Sequence, residues 1–86
     1  MENIIYVKPH CPYCIKAKHI LDLNGVGYKT IDISQDDALV QEMLDRSGGR
    51  KTVPQIFIDD SHIGGCDDLE ALYLSGGLAK IIEKRL

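Results

Sequence analysis

The chain of 86 residues has no tryptophan, a single phenylalanine and three prolines. It also lacks an excess of either charge. Ten Lys and Arg stand against thirteen Asp and Glu, a net charge of −3 with the signs interspersed. A nucleic-acid surface or a contact with an anionic membrane draws on a basic stripe, and none is present, so neither partner is expected. No apolar run approaches the roughly 18 residues that span a bilayer. Met1-Glu2-Asn3 leads directly into a short apolar segment without a secretory h-region, which makes the cytoplasm the expected address. Three cysteines is an odd number and argues against a disulfide-stapled secreted scaffold. In a reducing compartment a disulfide formed here would be catalytic and transient. With 44% hydrophobic residues and no linker-like stretch, residues 1–86 are expected to form one domain around one core.

What is present begins with Asn3-Ile4-Ile5-Tyr6-Val7, an apolar, β-branched run that reads as a buried strand. Residues 12–24 read as a helix with Cys14, Ala17, Ile20 and Leu21 inward, closed by Asn24-Gly25. Tyr28 to Ile33 alternates and reads as a second strand, so the first three elements form a right-handed βαβ unit with parallel strands. Ser34 is the expected cap of a second helix, with Asp37 three positions on and Ala38, Leu39, Met43 and Leu44 as its buried stripe. Ser47-Gly48-Gly49-Arg50-Lys51 reads as a basic loop. Gln55 to Ile58 and His62-Ile63 are expected to form a hairpin around Asp59-Asp60-Ser61. After the turn Gly64-Gly65-Cys66, Asp67 is the candidate cap of a helix, with Glu70 three residues later and Leu69, Leu72 and Tyr73 inward. Gly76-Gly77 precedes a last helix carrying Leu78, Ile81, Ile82 and Leu86. The order βαβ, helix, ββα resembles a minimal thioredoxin-like fold: an α/β protein with a four-stranded mixed sheet and helices on both faces.

The chemistry centres on Cys11-Pro12-Tyr13-Cys14 at the junction of the first strand and first helix. Two cysteines separated by two residues form either a redox dithiol or half of a metal site. A zinc site would combine them with Cys66 and one of His10, His19 or His62, but a structural site wants a second closely spaced ligand pair and the chain has none, so no metal is expected. A thiol attacks a disulfide only as its thiolate. At a helix N-cap the macrodipole favours the Cys11 anion by about 0.3–2 kcal/mol. Pro12 suits the first helical position because it has no N–H to leave unpaired there. The Tyr13 and Cys14 amides and the Cys14 thiol remain to reach the Cys11 sulfur, and Lys8 adds a nearby positive charge. Cys11 is therefore the expected nucleophile and Cys14, one turn inside, the resolving thiol. Cys66 reads as a small turn residue, and the three histidines carry no assignment.

Taken with Thr52-Val53-Pro54 and Gly64-Gly65-Cys66-Asp67-Asp68 at these intervals, the motif resembles the glutaredoxins, most closely the small bacterial dithiol type. The resemblance covers essentially the whole chain; thioredoxins usually carry Trp-Cys-Gly-Pro-Cys instead. It implies a glutathione-dependent thiol–disulfide oxidoreductase forming a redox-active Cys11–Cys14 disulfide, with glutathione as co-substrate and no permanently bound cofactor. It implies a cis Pro54 beside Cys11 and Val53 backbone groups that pair with the cysteinyl backbone of glutathione as an added strand would. It further implies that Asp67, with Asp68 beside it, holds the γ-glutamyl ammonium, and that the amides of Cys66 and Asp67 suit its carboxylate. Gly65 belongs to the same turn. Lys8, helped by Arg50 or Lys51, would meet the glycine carboxylate, with Tyr13 walling the groove and Thr52 on its rim. Expected partners are glutathionylated or disulfide-containing proteins, ribonucleotide reductase among them, acting on a monomer. Two rivals are a redoxin-type electron donor reduced by thioredoxin reductase and a module sharing an iron–sulfur cluster with glutathione between two protomers.

Overall fold

The structure, a computed structural model, describes residues 3–84, so the inward position expected for Leu86 lies outside the described residues. Four strands, β1 (Ile4–Val7), β2 (Lys29–Asp32), β3 (Gln55–Ile58) and β4 (Ser61–Gly64), form one sheet in the order β2-β1-β3-β4. β1 pairs parallel with β2 and antiparallel with β3, and β3 pairs antiparallel with β4. The sheet is therefore mixed. Around it lie α1 (Pro12–Leu23), α2 (Asp37–Ser47), α3 (Cys66–Leu74) and α4 (Gly77–Lys84).

The central strands β1 and β3 are buried along their whole length, as continuous apolar runs covered on both faces must be. Successive side chains point to opposite faces and so build two cores. Ile5, Val7, Ile56 and Ile58 meet Ala17, Ile20 and Leu21 of α1, Leu69 of α3 and Leu78 of α4. Ile4, Tyr6 and Phe57 meet Met43 of α2 and Ile33. On this second face the Tyr6 hydroxyl donates to Glu42 Oε2 at 2.6 Å and accepts from Arg46 at 3.0 Å, and Arg46 lies 4.6 Å over the Phe57 ring. The buried phenol thus keeps a partner, as a hydroxyl in an apolar core must.

Several boundaries differ from the sequence reading. β2 stops at Asp32 because Asp32 turns back on the chain, accepting from the Ser34 amide at 2.9 Å and its hydroxyl at 2.6 Å. Residues Ile33–Gln35 form one 3₁₀ turn, and α2 is capped by Asp36, whose carboxylate accepts the Ala38 amide at 2.9 Å. Ser34 is consequently not the cap, and Ala38 is exposed rather than buried. In α3 the N-cap is Gly65, not Asp67; Asp68 at the third helical position accepts the Gly65 N–H at 2.9 Å. Tyr73 lies 39% exposed, turned away from the core that Leu69 enters. The hairpin turns through Asp59 and Asp60, both at positive φ (49° and 67°), which matches the twist of the strands it joins.

Candidate active site

β1 ends in the first core, and the chain then reverses into α1 through His10, which sits in the left-handed region at φ 58°. This turn sets Cys11 at the N-cap of α1 with Pro12 at the first helical position. The Cys11 sulfur accepts the Cys14 N–H at 3.2 Å, closing one of the amides a helix start leaves unpaired. The amide donor and the positive end of the helix dipole both face this sulfur. Cys11 is half-buried and Cys14 only 3% exposed. Burial, and next the hydrogen bond with Cys11, push the Cys14 thiol up to about 12, so it remains protonated at neutral pH. Burial likewise pushes up the Cys66 thiol. The two cysteines of the motif are therefore unlike in access and in surroundings. Iodoacetamide at pH 7 should alkylate Cys11 in the folded, reduced protein while leaving Cys14 and Cys66 free, as peptide mass mapping would read; equal labelling of Cys11 and Cys14 would contradict this asymmetry.

A cleft of about 150 Å³ opens beside the start of α1. Tyr13, 62% exposed, forms one wall. Thr52, Val53 and Pro54 form a second, with the Val53–Pro54 peptide bond cis. Gly65, Cys66, Asp67 and Asp68, the beginning of α3, form the third. Val53 and Cys11 are both partly buried side chains packed against the first core. Arg50 also lines it, and Lys8 does not. Lys8 instead borders a second depression of about 370 Å³ with Cys11, Cys14 and Lys18.

Arg50 reaches the cleft because its loop is folded back. Gly48 takes the left-handed conformation (φ 70°) that ends α2. The Ser47 hydroxyl then accepts the Arg50 amide at 3.1 Å and donates to the Arg50 carbonyl at 3.2 Å. The guanidinium finally meets Asp68 Oδ2 at 3.0 Å. Asp68 is held below the usual carboxylate range, first by the Gly65 amide and then by Arg50. With Asp68 committed to these two groups, Asp67 is the acidic side chain at this helix start open to a ligand. The sequence loop alone does not reveal this placement, since Arg50 and Asp68 are 18 residues apart and meet only after β3 and β4 have folded. Sequence reasoning also passed over Gln55 and His62, although a polar residue opening an otherwise apolar buried strand is itself a signal, because it must find partners inside.

Among the described residues no group of three or more His, Cys, Asp or Glu side chains converges as a metal site would require, and no helix is long and apolar enough to cross a membrane. The family model described as glutaredoxin matches residues 3–63. Glutaredoxin 3 of Escherichia coli (strain K12) is 51% identical over 84 residues, spanning 96% of this chain and all of that protein. The solution structure of a glutaredoxin from Brucella melitensis superposes with a TM-score of 0.81 at 48% identity, covering 94% of this chain and 87% of the other. A buckwheat glutaredoxin solved in complex with glutathione does so with a TM-score of 0.84 at 33% identity, covering 95% and 76%.

Proposed function

The chain belongs to the glutaredoxin family and is a thiol–disulfide oxidoreductase of thioredoxin-like fold, and from that premise we propose that it reduces glutathione mixed disulfides and protein disulfides through Cys11 and Cys14. The Cys11 thiolate attacks the glutathione sulfur of a mixed disulfide; the sulfur–sulfur bond breaks, the protein leaves as its thiolate and takes a proton, and Cys11 carries the glutathione. A second glutathione thiolate attacks that sulfur, releasing oxidised glutathione and the Cys11 thiolate. On a protein disulfide, Cys11 attacks one sulfur and the other leaves as a thiolate; Cys14 then loses its proton as it attacks the sulfur of Cys11, expelling the second substrate thiol and closing the Cys11–Cys14 bond, which two glutathiones reduce. The observation that carries this reading is the Cys11 sulfur at the α1 N-cap, accepting the Cys14 amide at 3.2 Å, two residues before Tyr13, which walls a cleft that offers backbone, carboxylate and guanidinium groups to a short peptide.

Within the cleft, the Val53 backbone pairs with the cysteinyl backbone of glutathione and Asp67 meets its γ-glutamyl ammonium. The amides of Cys66 and Asp67 receive the adjacent carboxylate at the α3 N-terminus. Arg50, with donors to spare beyond its Asp68 contact, is the cation placed for the glycine carboxylate. Tyr13 walls the tripeptide, and Thr52 and Gly65 border it. Lys8, which borders the second depression beside Cys11, is placed for the incoming thiol or substrate rather than the bound tripeptide. In this reading residues 1–86 are one domain acting as a monomer in a reducing, cytoplasmic setting, with glutathione as co-substrate and no resident cofactor.

The deciding experiment is a coupled turnover assay on a small glutathione mixed disulfide, with glutathione, glutathione reductase and NADPH. Turnover that rises with glutathione is expected. Turnover that requires thioredoxin reductase instead, and proceeds without glutathione, would overturn the proposal in favour of a redoxin-type electron donor.

A further inference from the structure

Gln55 opens β3 and is 0% exposed, a primary amide inside a core of apolar side chains. Its nitrogen donates to the Thr52 carbonyl at 3.0 Å and to the Thr52 hydroxyl at 3.2 Å. A carbonyl only accepts, so the amide can stand in one orientation, with its oxygen turned the other way. That oxygen lies 2.7 Å from His62 Nε2 on the neighbouring strand. Since the amide oxygen cannot donate, Nε2 carries the hydrogen in this pair and Nδ1 is the nitrogen that titrates. The imidazole is fixed from its face as well, stacked on Phe57 at 4.9 Å between centroids and 27° between planes. An unbroken line of contacts therefore runs from Phe57 through His62 and Gln55 to the Thr52 backbone, one residue before the Val53 groups assigned to glutathione.

We propose that Gln55 and His62 are positioning residues of the glutathione site, the imidazole orienting the Gln55 amide and the amide holding the Thr52 end of the Thr52-Val53-Pro54 turn. The inference rests on the glutathione reading above and deepens it. Val53 can add a strand-like partner only if its N–H and C=O stay aimed into the cleft. Thr52 itself is exposed, and Gln55 supplies the side-chain hydrogen bonds that tie it to the sheet. The charged groups facing His62 are Arg50 and Asp68, both at the cleft, while Nε2–H persists whether or not Nδ1 is protonated. The tie is thus kept on both sides of the histidine titration.

The test uses the full chain with His62→Phe, which keeps the ring on Phe57 and removes the donor, and Gln55→Leu, which removes the amide. Both should raise KM for a glutathione mixed disulfide about fivefold, the loss expected when a bond that aligns the bound peptide is removed. The expected kcat stays within twofold, because neither residue touches the sulfurs. The double variant should do no worse than Gln55→Leu alone, as both act through one amide. Two-dimensional ¹H–¹⁵N spectra should show His62→Phe shifting the Thr52 and Val53 amides, with those of α1 unmoved. Wild-type turnover with both single variants matching its KM would overturn the inference alone. A wild type without glutathione-dependent turnover would overturn the functional reading and the inference with it.

Discussion

Cys11→Ser should lose turnover of a glutathione mixed disulfide by at least about a thousandfold, whereas Cys14→Ser should keep most of it and lose only the reduction of protein disulfides. The prediction follows from how unlike the two sulfurs are. Cys11 is half-buried at a helix start with an amide directed at it, so it is reachable and its sulfur faces a hydrogen-bond donor. Cys14 is 3% exposed, and burial keeps its thiol protonated well beyond neutral pH. By the proposed mechanism a mixed disulfide reaches completion with Cys11 and a second glutathione, so the inner thiol should be dispensable for that substrate. A protein disulfide leaves Cys11 bonded to a bulky partner, and only a thiol one helical turn away can displace it without waiting for glutathione to enter. Measuring both substrates with both variants separates the roles. Substantial activity surviving Cys11→Ser on the mixed disulfide would sink the assignment of the nucleophile.

The cysteine junction was legible in the sequence because its determinants are local. A β-branched run, a polar turn, a proline at the first helical position and apolar spacing of Cys14, Ala17, Ile20 and Leu21 all point to one arrangement. The start of α2 was not legible for a comparable physical reason. Asp32, Ser34 and Asp36 can each cap a helix, and the choice among them is made by where β2 stops pairing with β1. The α3 start poses the same difficulty with Gly65, Asp67 and Asp68. There the extended backbone of Gly65 (ψ −168°) makes it the cap and leaves Asp68 to return to its amide. Arg50 depended on longer-range events still: a left-handed Gly48, two hydrogen bonds with the Ser47 hydroxyl, one donated and one accepted, and an ion pair across 18 residues. Chain position made Lys8 the nearer cation, but Arg50 lines the cleft and Lys8 borders the other depression.

Gly64→Ala should be the most damaging small substitution outside the cysteines. Gly64 lies at φ 117°, a region that side chains rarely adopt, and a Cβ built there would run into the Asp68 carboxylate, Cγ and Cβ. The strain and the displaced side chain together should cost about 3 kcal/mol, within the range for a forced backbone conformation and a lost cap. For a domain of this size that lowers Tm by roughly 15 °C. The same displacement takes Asp68 from the Gly65 amide and from Arg50, so the two sides of the cleft lose their tie and KM for the mixed disulfide should rise. Part of the stability loss should also depend on pH. Because Asp68 titrates below its ordinary range, its contribution is fully present above the unfolded carboxylate value near 4 and is lost as pH falls through the lowered folded value. The backbone strain does not titrate. The gap in Tm between wild type and Gly64→Ala should therefore narrow, without closing, between pH 7 and pH 3. Thermal unfolding at both values checks this, and a variant melting within about 3 °C of wild type at pH 7 would show that the turn before α3 tolerates a side chain and that the cleft does not depend on it.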